Sequence, residues 1–391
     1  MRTTELVDNE VRSPSINDWL EVTAWRDGQQ LTGPLPISDY QLAWSAARQV
    51  QGQASFVVAD PDGDLWPRTI TDGLAPGGSR LQVAYRFGAT GTIIPLGWWR
   101  IRESEPDIGW QYRLVGGRWM WLPLGGTVAI QADEETVSLA LDRLDVDERR
   151  SQAGTVLTEV ARLCDPYLPV VVTDVADGPL TARQYDSEDR LTVIQSLLDR
   201  IDATYRLSGL GELEIYPAVG TPSGWTIEPG DGGTLIRLTN SMSDSDLING
   251  VTSHVTIQDA AGSETTYISK ARLESGPLRW GGPFGRVPYF RGANLAQSQS
   301  DVDEDATTTL ARHTAEGDVT LNLETVAHPG LQLGDLVNLQ APQWPEPILM
   351  PARVTAMTLT GRDGVAVKSM TLKVATPHKY LNPPKPKEIK P

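Results

Sequence analysis

The side chains able to do chemistry in this 391-residue chain are few and scattered. Its four histidines, His254, His313, His328 and His378, lie far apart and in different settings. None belongs to an HExxH or another short pair that would bring two imidazoles to one metal ion, so each reads as a strand or loop histidine. Asp60, Asp62 and Asp64 alternate around Gly63, and a tight loop can turn alternate oxygens toward calcium. The glycine stands at the fourth place and Pro67 to Thr71 holds no closing glutamate. The stretch therefore reads as a turn that ends a strand, with a calcium site as the alternative. Asp301, Asp303, Glu304 and Asp305 read as the solvated start of a helix rather than a nuclease centre. There is no GxSxG nucleophile elbow and no GxxxxGK phosphate loop, and Gly281-Gly282-Pro283-Phe284-Gly285 lacks the strand-to-helix context of a phosphate cradle. Fifty acidic residues offer carboxylate pairs for glycan hydrolysis at will, but availability of partners is not geometry. The single cysteine, Cys164, excludes an internal disulfide and a multi-cysteine metal site. It falls on the inward face of a helix and reads as a buried thiol. No catalytic residue and no cofactor is expected.

Charge narrows the partners. A formal net charge of -16, with no long Arg/Lys cluster to override it, argues against general affinity for nucleic acid or an anionic membrane surface, since both need local positive charge. No N-terminal basic stretch precedes an apolar run, and no apolar run approaches bilayer length, so neither a signal peptide nor a membrane span is expected. The length suggests two to four units with separate cores.

The elements that must position these residues change character at Asp189 to Pro217. Ser187 and Asp189 both offer caps for a helix whose Leu191, Ile194, Leu197, Leu198 and Ile201 share a face, and the chain then reverses as a hairpin through Ser208-Gly209-Leu210-Gly211. Upstream, alternating runs at Trp19 to Trp25, Ser38 to Trp44, Gln53 to Ala59, Arg80 to Phe87, Thr92 to Arg102 and Trp110 to Val115 describe a small antiparallel barrel or sandwich. Trp19, Trp25, Trp98, Trp110 and Trp121 are expected to fill its core. Ser151 is read as the cap of a helix ending before Pro166, and Leu168 to Thr173 as a buried strand. Downstream, strands flank a loop with Trp280, Phe284, Tyr289 and Phe290, expected to dock on a neighbour or to form a satellite core. A helix follows at Asp301 to Thr314, with Val302, Ala306, Leu310 and either Ala311 or His313 on its inner side, then strands to residue 375. The expected organisation is a flexible N-terminal segment (1–16), a first β-barrel-like domain (17–145), a small α/β domain (150–217), a linker (218–233), a second β-barrel-like domain with the aromatic loop and helix (234–377), and an extended Pro/Lys-rich tail (378–391). The fold class is mainly β with an α+β insertion.

The run His328-Pro329-Gly330-Leu331-Gln332-Leu333-Gly334-Asp335-Leu336-Val337-Asn338-Leu339 resembles the "Pro, short gap, Leu-Gly-Asp-x-Val" segment that closes the second β-domain of phage tail hub proteins. In it Pro329, Gly334 and Asp335 would form a structural turn, with Gly334 relieving the backbone and Asp335 hydrogen-bonding the turn. Arg48-Gln49-Val50-Gln51-Gly52, followed by a strand ending at Asp60-Pro61-Asp62-Gly63-Asp64-Leu65-Trp66-Pro67, looks like the opening domain of minor tail proteins of actinobacterial siphophages and related prophages. The resemblance spans most of residues 15 to 377. It implies a baseplate hub subunit of the virion tail, assembled in the host bacterial cytoplasm. Such hubs are homotrimers, in which two barrels per subunit match a six-fold tail tube and join it to distal tail-tip proteins. Genomic DNA would pass passively through an acidic lumen, without specific nucleic-acid binding or membrane insertion. The alternatives are a carbohydrate- or receptor-binding tail protein, for which twelve tryptophans offer flat faces to sugar rings, and a cell-wall glycan hydrolase.

Overall fold

The computed structural model describes residues 5–12, 17–152, 154–165, 167–182, 184–185, 187–241, 247–258, 264–292, 296, 298–315, 319–341 and 348–376. Alternation of apolar and polar residues along most strands builds one large antiparallel system. From one edge its main path runs Leu235–Ser241, Val319–Val326, Ser369–Thr376, Ile348–Arg362, Ile37–Ser45, Gly52–Asp60, Arg118–Glu134, Ile93–Val115, Arg80–Arg86 and Trp19–Arg26. The early and late strands meet where Ile37–Ser45 pairs with Ile348–Arg362, with Trp44 opposite Met357 and Leu42 opposite Leu359. Their inward side chains, among them Val22, Phe56, Trp99, Ile130, Leu321, Val337 and Val374, form one continuous core. Trp44 and Trp99 meet edge to face at 5.4 Å near its centre, the geometry favoured by the ring quadrupoles.

The two separate barrels expected from the sequence are therefore corrected to a single fourteen-stranded sheet with a shared core; no closed barrel is formed among the described residues. Residues 218–233 are not a linker. Thr221–Ile227 runs parallel to Asp335–Ala341 in the sheet, with Trp225 and Ile227 buried in the core; its glycine, proline and hydroxyl residues hid the inward alternation. The opening segment also differs from expectation: Glu5–Arg12 is a helix whose Val7 and Val11, four apart on one face, reach the core. Arg12 adds a pair with Glu228 at 2.5 Å and lies over the Trp225 ring at 4.8 Å. The tail 378–391 lies outside the described residues.

Two small α/β units are carried by this sheet. The first has helices Val156–Cys164 and Arg190–Asp199 over a three-stranded sheet of Ala203–Leu207, Leu213–Pro217 and Val170–Val172, with its own core. Asp189 caps the second helix, accepting from Thr192 N at 3.1 Å. The first helix is capped by Thr155, not Ser151, because Gly154 and Thr155 are drawn into a short pairing with Leu180 and Pro179. Val170–Val172 is an edge strand, with Val171 and Val172 about two-fifths exposed rather than buried. The second unit, placed within a barrel by the sequence, is an insertion: Glu264–Arg272, Gly250–Gln258 and Pro288–Gly292 form a separate sheet covered by helix Gln299–Ala315. That helix buries Val302, Ala306 and Leu310, spaced four apart, against Val255 and Val251.

Candidate functional site

A dense buried polar network lies where the first α/β unit meets the main sheet. Arg206 and Glu214 are cross-strand neighbours on the hairpin of that unit. Arg206 Nε and Nη2 donate to the two oxygens of Glu214 at 2.8 and 3.0 Å, a bidentate pairing that uses the planar fork of guanidinium. Its Nη1 crosses to the main sheet, donating to Leu333 O at 2.7 Å and Asp335 Oδ1 at 2.9 Å. The Arg206 and Asp335 side chains are 3% and 0% exposed, so the charges are compensated by each other and by hydrogen bonds rather than by water. The guanidinium also sits 4.7 Å from the Tyr216 ring centroid.

The turn beneath it explains why a glycine and an aspartate stand there. Gly334 has φ +80, a left-handed conformation, and a Cβ at this position would overlap the Tyr216 ring. Gly334 N donates to Val354 O and its carbonyl accepts from Thr221 N, both at 2.9 Å. Asp335 Oδ2 accepts from Gln332 N at 2.9 Å, and Pro329 is buried at the entry to the turn. Burial alone would raise the Glu214 carboxyl, but the Arg206 guanidinium outweighs it and holds the group below the usual carboxylate range. Burial pushes the Tyr216 phenol up to about 12. A second polar seam joins the same bodies: Gln51 Nε2 donates to Tyr205 O at 2.9 Å and the Tyr205 hydroxyl donates to Gln49 O at 2.8 Å. The site is a mechanical joint that fixes the α/β unit on the sheet.

The second outstanding feature is a ribbon. Ile93–Val115 and Arg118–Glu134 stay paired well beyond the sheet and turn through Gly116-Gly117, both with positive φ, as a two-residue hairpin turn requires. Cross-strand pairs Trp110–Pro123, Tyr112–Trp121 and Leu114–Trp119 lie on one face. Tyr112 stacks on Trp119 at 5.3 Å and meets Trp121 at 5.0 Å, while Trp110 packs edge to face on Trp66 at 5.4 Å. Trp119 and Trp121 remain 61% and 64% exposed. This corrects the expectation that Trp110 and Trp121 fill a barrel core. Trp19 is 38% exposed, Trp25 and Trp98 pack against each other half-buried, and Trp44 and Trp99 occupy the centre instead.

Asp60 is buried and accepts from the backbone N–H groups of Asp64, Leu65 and Trp66 at 2.9 to 3.2 Å, while Asp62 and Asp64 face solvent. Among the described residues no group of three or more His, Cys, Asp or Glu is arranged to hold a metal ion. His254 lies exposed on a strand, His328 is buried against Trp225 and Asp8, and the His313 side chain and His378 lie outside the described residues. Cys164 is buried, and its burial pushes the thiol up to about 12, far from a thiolate nucleophile. Trp280, Phe284, Tyr289 and Phe290 are not gathered on one face: Trp280 packs on Gly250 and under Arg272, Phe284 is half-buried in a turn, and Tyr289 and Phe290 alternate on an exposed edge strand. The sequence signal for Arg206 and Glu214 is their opposite charge at facing positions of the hairpin. The Gly116-Gly117 turn was a comparable signal for the ribbon.

Comparison with known proteins places this architecture. The structure superposes on the prophage MuSo2 43 kDa tail protein from Shewanella oneidensis with a TM-score of 0.61 at 12% identity, covering 91% of this chain and 98% of that one. It superposes equally, TM-score 0.61 and 12% identity, on the tail protein from Neisseria meningitidis MC58, covering 91% and 96%. No family model matches the sequence, and no curated protein matches it by sequence. The fold is thus one found in tail proteins, among them a prophage tail protein, a mainly β sheet with a small α/β insertion.

Proposed function

We propose that this chain is a structural subunit of a phage or prophage tail, a baseplate hub protein that assembles as a homotrimeric ring between the tail tube and distal tail-tip proteins. The observation that carries the reading is the extent of the fold likeness: it takes in 91% of this chain and nearly the whole of two tail proteins, one of them from a prophage, so the entire architecture is shared and not one common motif. The joint at Arg206 and Asp335 supports it, because a subunit that transmits force must hold its appended units rigidly. No catalytic step is assigned to it. The net charge of -16 would let DNA traverse the ring without adhering, since like charges repel.

Light scattering after size-exclusion chromatography, over a hundredfold concentration range, tests this. Three chain masses that persist on dilution are expected, with no retention of duplex DNA; a monomer throughout, or stable DNA binding by the trimer, would overturn the ring and the lumen respectively. A carbohydrate- or receptor-binding role is the second reading, favoured by the exposed Trp119 and Trp121. Binding of a glycan array lost in Trp119→Ala would establish it.

A further inference from the structure

The ribbon beyond Ile108 and Gly126 is unlike the rest of the molecule. Its strands run eight residues from Ile108 to the turn, a reach of about 26 Å at roughly 3.3 Å per residue. None of its residues belongs to the main core, and a two-stranded ribbon is at best marginally stable alone. Yet it displays Trp110, Tyr112, Leu114, Trp119, Trp121 and Leu124, all at least 45% exposed. On one face Trp110, Tyr112, Leu114, Trp119 and Trp121 expose on the order of 400–700 Å², taking about 150–250 Å² for each full side chain, and Val115, Met120 and Leu124 add apolar area on the other. The aromatic face alone is a large share of the roughly 800 Å² which each partner contributes to a standard protein interface. Beyond Asp107 and Gly126 the outer edges of both strands pair with no other strand among the described residues, leaving N–H and C=O groups able to extend a sheet.

Charge indicates the occupant. Residues 108–132 contain Arg113 and Arg118 and no acid; removing this +2 from the net -16 leaves -18 for the rest of the chain. A basic, aromatic arm on an acidic body fits the body of another copy and relieves the like-charge repulsion that two such bodies would otherwise feel. A contact between an arm on one copy and a different surface on the next is heterologous, the type that closes into rings. The apolar face carries no carboxylate or amide to read sugar hydroxyls, its polar groups being the Tyr112 hydroxyl and the indole N–H groups of Trp110, Trp119 and Trp121, which favours a protein surface over a glycan. We infer that the ribbon is the arm by which one copy of this chain grips the next; this rests on the self-assembling ring reading and names its contact.

The full chain and the variant Tyr112→Ser/Trp119→Ser/Trp121→Ser are compared by light scattering across the same dilution range, with far-UV circular dichroism and the urea midpoint as fold controls. A trimeric wild type and a monomeric, normally folded variant are expected. Arg113→Glu/Arg118→Glu should raise the dissociation concentration at least tenfold, with the difference shrinking at high salt. If the triple variant misfolds, replacing residues 109–125 with Asn-Gly, which leaves the core register intact, gives the same reading. A wild-type trimer with a trimeric variant overturns the arm and leaves the ring standing, including when the variant loses binding to a glycan or another protein. A wild type that is monomeric throughout overturns both.

Discussion

Arg206→Met removes a guanidinium from a closed space while leaving its acceptors behind. Glu214, 15% exposed, can turn partly to water; Asp335, 0% exposed, cannot. The Leu333 carbonyl also loses its 2.7 Å donor. Breaking one side of a buried pair of this kind costs about 3–5 kcal/mol, against a total stability on the order of 5–15 kcal/mol. The damage should also be localised. All twelve tryptophans lie outside residues 150–217, and the described ones belong to the main sheet, its loops or the second insertion, so indole fluorescence reports chiefly those regions, while helical circular dichroism has two of its larger sources, Val156–Cys164 and Arg190–Asp199, in the first α/β unit. In urea the two signals should coincide for the wild type; in Arg206→Met the dichroism midpoint should fall by about 1 M or more, from an m-value of roughly 3 kcal/mol/M, ahead of the fluorescence. Adding Asp335→Asn, which neutralises the stranded charge and keeps an acceptor for Gln332 N, should recover part of the loss through a coupling of about 1–3 kcal/mol. A single variant that loses less than about 1 kcal/mol, or one whose two signals stay superimposed, would refute the claim that this network holds the unit in place.

Two further outcomes follow from the same joint. The lowered Glu214 pKa means that the unfolded chain binds the proton more readily, so this group's contribution is present above its unfolded pKa of about 4.3 and is lost as pH falls through the lower folded value; Glu214→Gln should flatten the urea midpoint between about pH 5 and about pH 3 and lower it at neutrality, and an unchanged slope would contradict the pairing. Gly334→Ala should cost roughly 2–5 kcal/mol, about 1–2 from the left-handed backbone and about 1–3 from overlap with the Tyr216 ring. Gly116→Ala, also at positive φ but with open space around the added methyl, should cost only about 1–2 kcal/mol, and equal losses at the two sites in chemical denaturation would remove Tyr216 from the explanation.

Local chemistry made the elements legible and left their partners hidden. The four-residue spacing of Val302, Ala306 and Leu310 identified both a helix and its buried face, and Asp189 marked a helix start, because each signal is complete within a few residues. Pairing is different: Leu42 faces Leu359 across more than three hundred residues, and alternation tells which side of a strand is apolar without naming the neighbour. Two barrels were the economical reading of two strand-rich halves; the pairing of Ile37–Ser45 with Ile348–Arg362 makes them one sheet. The same limit hid the joint. Asp335 was visible as a turn residue, whereas its bond to Arg206, 129 residues away, belongs to tertiary structure alone.

The tryptophans show a sharper version of this limit. Trp99 inside the core and Trp119 on the ribbon occupy strands with similar alternation, since an apolar stripe looks alike whether the fold covers it or leaves it bare. What separates them is the chain that reaches the face. Trp44, on Ile37–Ser45, packs edge to face on Trp99 inside the core, and no described element crosses the outer part of the ribbon. Burial within the subunit therefore accounts for Trp99 and cannot account for Trp119, Trp121 and Tyr112, whose mutual stacking still leaves large apolar area in water. Keeping such side chains on an arm that adds nothing to the subunit core is unfavourable for solubility unless another surface covers them, and an aromatic arm bearing the opposite charge to its own body is suited to the surface of a second copy.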